Sequence, residues 1–423
     1  MSGHTAAPRK APAWMRPMRA RSQHEEHRAS TPLELLFDLV FVIGVAQDAS
    51  ALHHGIIEGH AAAATLSFAM LFFAIWWAWV NFTWFASAYD TDDVPYRLTV
   101  FVQLTGSLII AAGVPQAFLG QYSTVTIGYL VLRLAGVAQW LRAARSDPQH
   151  RTAAYRYALG VSIVQALWLA RLALPDSWQL LAFITLVIAE LAVPVWAEQT
   201  NTTTWHPEHI AERYGSFTII VLGESLLSGS LALQSARQTG NLTGELSTII
   251  IGGLLIVFSM WWLYFDQPAH ELLTSLRTAF IWGYGHLVVF TSAAAVGAGL
   301  AVAVDHATDH AEIGAVGGIP TYGGAGAAVA IPAALYLLSL WALHERPRAT
   351  SLVEASLAPA TGLLILLTPF SGQPVLLTGL LLSTLLAIKL VGRHRSTKGH
   401  EGPRRGVSFQ FVSNRHRLTF REA

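Results

Sequence analysis

Apolar runs of about 20 residues, each long enough to cross a bilayer as a helix, follow one another almost from end to end of the chain. They predict helices near 33–52, 62–86, 97–119, 123–143, 153–174, 178–197, 209–232, 246–265, 277–303, 323–343, 352–370 and 373–392. The intervals between them leave no room for a soluble domain. The pattern therefore predicts an all-α integral membrane protein of about twelve transmembrane helices.

Composition agrees. Of 423 residues, 53% are hydrophobic and 13% charged, against roughly 25% charged in soluble domains. The mean hydropathy is +0.43. There is no cysteine, which excludes disulfides, thiolate metal sites and thiol nucleophiles. Residues 1–30 are polar and basic, without the apolar core of a signal peptide.

Basic residues orient the bundle, because Lys and Arg stay on the cytoplasmic side. The first 30 residues carry Arg9, Lys10, Arg16, Arg19, Arg21 and Arg28. The end of the chain carries Arg393, Arg395, Lys398, Arg404, Arg405, Arg415, Arg417 and Arg421. Both termini are expected on the cytoplasmic side of the membrane. Arg142, Arg145 and Arg151 then lie on an inner loop and the acidic segment DHATDHAE, 305–312, on an outer one. The tails 1–30 and 396–423 read as solvated topology determinants touching anionic lipid, not as nucleic-acid arms. The expected partners are the lipid bilayer and a small solute or cation; oligomeric state is not set by the sequence.

Three marks recur in order. Trp76, Trp77 and Asn81 are matched by Trp261, Trp262 and Asp266; Arg97 by Arg277; Trp140 with Arg145 by Trp341 with Arg346. They predict two six-helix halves, 31–200 and 201–395, in parallel orientation about an axis along the membrane normal.

The chemistry lies in carboxylates placed within the apolar runs. In TPLELLFDLVFVIGVAQDAS, from Thr31, the helix starts with Thr31 as N-cap, Pro32 at the first position and Glu34 closing a capping box. Asp38 lies one turn deeper and Asp48 about 15 Å further along. All three acids share one helical face with Phe41 and Val45. An Asp at the centre of a membrane helix costs about 2.5–3.5 kcal/mol, so each needs a partner, a proton or a cation. Arg133 and Arg171 are candidate partners within the bundle. Helix seven repeats the theme in HPEHIAERYGSFTIIVLGESLLSGS: His206, His209, Arg213, Ile220 and Glu224 lie near one face, and Glu224 sits between Gly223 and Ser225 near the midplane. Glu190 precedes Pro194 in helix six, where a kink frees backbone carbonyls. Asp38, Asp48, Glu190 and Glu224 outnumber Arg133 and Arg171, so some acids are expected to hold protons or cations. His206 and His209, with Glu208 or Glu212 nearby, lack the HExxH spacing of a zinc site. The loop YDTDDVPYR, 89–97, lacks the pattern of an EF-hand and reads as helix capping by Asp92 or Asp93, with Arg97 pairing back to an acid. Neither metal nor cofactor is expected.

The segments PLELLFDLVFV, WWAWVNFTWFASAYDTDDVPYR, WHPEHIAERYGSFTIIVLGES and MWWLYFD resemble the bacterial low temperature requirement protein A family, over residues 31 to 395. The resemblance implies a polytopic cytoplasmic-membrane protein named for growth in the cold. It places Glu34, Asp38, Glu212 and Glu224 inside the family's motifs.

The pattern favours a proton- or cation-coupled transporter in which Glu34, Asp38, Asp48, Glu190, Glu212, Glu224, Arg133 and Arg171 bind substrate or ion. An ion channel lined by FDLVFV, and a membrane protein acting on lipids, are the alternatives. No GxSxG elbow, P-loop or HExxH is present, and an enzyme is not expected.

Overall fold

The computed structural model describes residues 14–22, 25, 28–238, 244–308 and 321–400, and every long element among them is helical. The helices are α1 (Pro32–Ile57), α2 (Ala61–Tyr89), α3 (Val94–Phe118), α4 (Ser123–Ser146), α5 (Arg151–Arg171) and α6 (Asp176–Ala197). They continue as α7 (Pro207–Gln238), α8 (Gly244–Phe265), α9 (Leu276–Ala307), α10 (Thr321–Leu340), α11 (Leu352–Ile365) and α12 (Pro374–His400). A π-helical turn, Trp341–Glu345, prolongs α10, and a 3-10 turn, Thr368–Phe370, follows α11.

Local signals set the boundaries. The Thr31 side chain accepts the Glu34 amide and the Glu34 carboxylate accepts the Thr31 amide, so the predicted capping box opens α1. Asp93 caps α3 by accepting the Tyr96 amide at 3.0 Å, and Arg97 pairs back to Asp92 at 2.8 Å. Gly59 and Gly120, both at φ +80°, turn the chain between α1 and α2 and between α3 and α4, a conformation that favours glycine.

Ten spans among the described residues are long and apolar enough to cross a membrane. The two expected helices that fall short are α5 and α7. Polar residues cause this: α5 carries Arg151, Arg156 and Arg171, and α7 carries Glu208, His209, Glu212, Arg213 and Glu224.

Packing alternates between aromatic mass and close backbone approach. Trp76, Trp77 and Trp79 of α2 are fully buried. Helix α9 is rich in small residues from Ala293 to Ala303, and there Gly299 meets Ala328 of α10 so closely that an added Cβ would lie 2.1 Å from its carbonyl oxygen. Gly106 of α3 and Gly128 of α4 cross in the same manner, as do Gly252 of α8 and Gly379 of α12. Such crossings replace the hydrophobic effect as the packing force where lipid is the solvent. The neighbour relations of the first six helices, α1 on α2 and α3, α3 on α4, α4 on α5 and α5 on α6, recur from α7 to α12, but the extensive packing of α8 on α12 has no counterpart between α2 and α6. The paired tryptophans do not recur in environment: Trp76 and Trp77 are enclosed, whereas Trp261 and Trp262 are 46% and 47% exposed.

The N-terminal segment is only partly a tail. Residues 14–22 and 28–30 strap across one end of the bundle. The Arg21 amide donates to Ala88 O at 2.9 Å, and the Ser30 amide donates to Glu212 at 3.1 Å. Arg28, expected among the solvated charges, is 5% exposed and donates to the carbonyls of Ala86 and Ser87. The reason is local: those carbonyls lie at the C-terminal end of α2, where they lack helical partners and the dipole attracts a cation. Arg9, Lys10, Arg404, Arg405, Arg415, Arg417, Arg421 and residues 309–312 lie outside the described residues.

Candidate functional site

Three groups of ionisable residues form inside the helices, and they differ in how completely they are paired.

The first joins the two halves of the chain at the strap end. One turn apart on α1, Glu34 and Asp38 face His209 and Arg213, one turn apart on α7. Arg213 binds Asp38 directly, and its Nη1 lies 3.5 Å from Glu34 Oε1; His209 Nε2 lies 3.0 Å from the same oxygen. The indole of Trp79 donates to Asp38 Oδ1 at 2.7 Å. All four ionisable side chains are at most 1% exposed. Asp38 is thus a locked partner, not a bare acid, and Arg213 is a third arginine within the bundle beyond the two counted from the sequence. That residue's place on the His206 face was legible, but its burial was not, because the acid it meets is 175 positions away. Glu212, one residue earlier, is exposed and holds the strap at Ser30.

The second group surrounds Glu190 of α6. Arg133 of α4 donates to Oε2 at 2.6 Å and Trp77 of α2 donates to the same oxygen at 2.9 Å. Tyr129 and Trp168 donate to Oε1 at 3.1 Å and 3.2 Å. Four donors from three helices satisfy one carboxylate, so Glu190 too is paired. A small hollow adjoins Arg133, lined also by Asn81, Gln103 and Gln139. Here Gln103 Oε1, Gln139 Nε2 and Arg133 Nε are buried without a partner among the described residues. Polar atoms enclosed in this way are costly unless something else completes their bonds. Neither glutamine was singled out from the sequence, although an amide inside an apolar run, as in FVQLTG and VAQWLR, was the available signal.

The third group forms no ion pair among the described residues. Asp48 is 0% exposed and both its carboxyl oxygens lack a hydrogen-bond partner. It meets neither Arg133, which serves Glu190, nor Arg171, whose Nε donates to Gln179 O at 3.2 Å. Glu224 is half-buried and its carboxyl group is bonded to Ser228 on the next turn. The adjacent Gly223 and Gly229 face open space, so the small-residue stretch is not a packing seam except at Ser225, which sits against Gly297 of α9. Neither Asp38 nor Glu224 lines the hollow beside Arg133.

A histidine cluster went unread in the sequence. His286 of α9 approaches the Tyr264 hydroxyl at 3.1 Å, and Trp282 donates to His344 Nε2 at 3.1 Å. His344 lies in the π-helical turn, a distortion often found at functional sites. Among the described residues no three His, Asp or Glu side chains are grouped to hold a metal. His206 instead caps the strap, its Nε2 lying 3.0 Å from Glu25 O.

The loops at the strap end carry ordinary electrostatics. Burial opposes ionisation of Asp93, but Arg142 and the amides of Arg16 and Tyr96 hold its carboxyl below the usual range. Burial pushes Asp90 up to about 6.

Residues 29–392 match the profile described as bacterial low temperature requirement A protein (LtrA). A Rhizobium meliloti (strain 1021) protein described as uncharacterized is 26% identical over 302 residues, which cover 66% of this chain and 70% of that protein. No solved structure matches the chain.

Proposed function

The chain belongs to the bacterial low temperature requirement A protein family, and we propose that it is a proton- or cation-coupled secondary transporter of a small polar solute. The observation that carries this reading is the hollow beside the Glu190–Arg133 pair. Its orphaned amide and guanidinium atoms present both donors and an acceptor, the equipment for holding an uncharged hydrogen-bonding molecule within a membrane helix bundle. Arg133 brings no net charge to the site because Glu190 neutralises it.

Asp48 supplies the coupling. A carboxylate enclosed without a single bond is stable only with a proton or a bound cation, which makes it the acid free to exchange one. Asp38, Glu34, His209 and Arg213 act differently, as an ion-pair latch that holds α1 to α7 at the strap end. Glu224 takes up the ion closer to the exposed face of α7.

All twelve helices cross the membrane in this reading, α5 and α7 turning apolar side chains such as Leu159, Ile163, Ile219 and Leu227 outward. Repetition of the helix adjacencies supports two six-helix halves, 31–200 and 201–395, that rock about the latch. The distribution of charge supports a cytoplasmic strap end: Arg142, Arg145, Arg151, Arg277, Arg346, Lys389 and Arg393 gather there, while Arg171 and Arg237 lie toward the other. Both termini are then cytoplasmic in the bacterial inner membrane, and the activity is translocation, not catalysis.

Uptake into proteoliposomes under an inward proton gradient tests the reading with radiolabelled urea, acetamide, glycerol and glycine as probes. Saturable, gradient-dependent uptake of at least one, lost in Gln139→Leu, is expected. Uptake of none contradicts it, and a conductance that rises without saturation identifies a channel instead.

A further inference from the structure

Arg171 ends α5 on the side of the bundle away from the strap, and it is 4% exposed. Arg133 and Arg213 pair with carboxylates, whereas Arg171 forms no ion pair among the described residues. Its protein bonds are to Gln179 O, at 3.2 Å, and to the Tyr122 hydroxyl. Three rings surround the guanidinium carbon, with centroids at 4.8 Å (Tyr122), 5.5 Å (Phe183) and 5.8 Å (Trp168). Nη2 is buried and has no partner.

This cation borders a mostly apolar hollow lined by Leu71, Phe73, Val125, Trp168 and Phe183, with the hydroxyls of Thr126 and Tyr129 at its edge. Cation–π contacts offset part of the cost of enclosing a charge, but they leave the positive charge uncompensated. The remaining requirement is an anion with an apolar body. The hollow's wall at α6 is thin: Leu181 and Ile184, on either side of Phe183, are 56% and 48% exposed, and only 28% of that helix's apolar span is buried. With all twelve helices spanning, as in the proposed reading, Arg171 as the last residue of α5 stands at the depth where head groups begin.

We infer that Arg171 and the hollow between α2, α4, α5 and α6 form a binding site for an anionic membrane lipid, whose head-group phosphate pairs with Nη2 while an acyl chain fills the apolar space. The site is separate from the hollow at Gln103 and Gln139, and it stands whether or not a solute is transported.

Tryptophan quenching tests it, because Trp168 lines the hollow. The purified full chain is reconstituted in phosphatidylcholine vesicles containing a minor fraction of chain-brominated phosphatidylglycerol or chain-brominated phosphatidylcholine. Stronger quenching by the phosphatidylglycerol is expected, with that preference lost in Arg171→Gln and retained in Arg171→Lys. Ala74→Phe, which keeps the arginine and fills the hollow, is expected to lose it as well, and covers the case in which Arg171→Gln fails to fold. Equal quenching by the two lipids in the wild type, or an undiminished preference in Arg171→Gln or Ala74→Phe, overturns the proposal. Displacement of the phosphatidylglycerol by soluble butyrate also overturns it, since the occupant would then be a water-borne anion.

Discussion

At the scale of single residues, the intramembrane charges divide into those that hold the fold and those with nothing to hold. Arg213 pairs with Asp38 and lies beside Glu34, which keeps His209 and the Thr31 amide as partners. Removing it strands Asp38, and breaking a buried pair of this kind costs about 3–5 kcal/mol. Arg213→Met is expected to lose stability on that order in thermal unfolding of the detergent-purified protein. Much of the loss should return in Arg213→Met combined with Asp38→Asn and Glu34→Gln; absence of any recovery would show that the guanidinium acts by packing alone. What was legible in the sequence at this scale was local. The Thr31–Glu34 box is written within four residues, and the 89–97 loop caps as its Asp and Pro positions dictate. The partner of Asp38 was hidden because it is fixed by how α1 meets α7, and no periodicity within either helix encodes that meeting. The pattern also gave no way to tell that Glu190 is satisfied while Asp48 is not.

At the scale of helices, existence was readable and adjacency was not. A run of apolar residues bounded by Pro, Gly or capping residues announces a helix whatever it touches, whereas its neighbours depend on where small residues permit backbones to approach. Gly128 is such a point: a Cβ there would stand 2.7 Å from Gly106 O. Gly128→Ala should force α3 and α4 apart and cost about 1–3 kcal/mol, read as a lower unfolding temperature; an unchanged temperature would mean the crossing is not tight. The turn between α4 and α5 gives a pH dependence. Burial works against ionisation of Asp147, but its bonds with His150 and the Tyr89 hydroxyl hold the carboxyl below the ordinary range. A lowered acid stabilises the fold above the ordinary carboxylate range and loses that contribution as pH falls through the folded value. The protection of the Asp147, Gln149 and His150 amides, taken as the exchange rate relative to the intrinsic rate at each pH, should therefore fall on acidification, and Asp147→Asn should abolish that pH dependence.

At the scale of the whole molecule, the strap was the feature furthest from the sequence reading. Basic residues near a terminus read equally well as solvated lipid anchors or as caps for helix ends, and Arg28 is the latter because α2 presents it with carbonyls. Orientation can be measured without altering the background, since the chain has no cysteine. A cysteine placed at Arg145 should react with a membrane-impermeant maleimide only in inside-out vesicles, and one at Gly59 only in intact cells; the opposite pattern would invert the topology. The transport proposal itself rests on Asp48 exchanging a proton or cation while Asp38 stays latched. The most direct measurement is proton movement into pyranine-loaded proteoliposomes when an accepted solute is added. Wild type should show solute-dependent acidification, Asp48→Asn should show none at equal reconstitution, and a folded Asp48→Asn that moves protons as well as wild type would contradict the account.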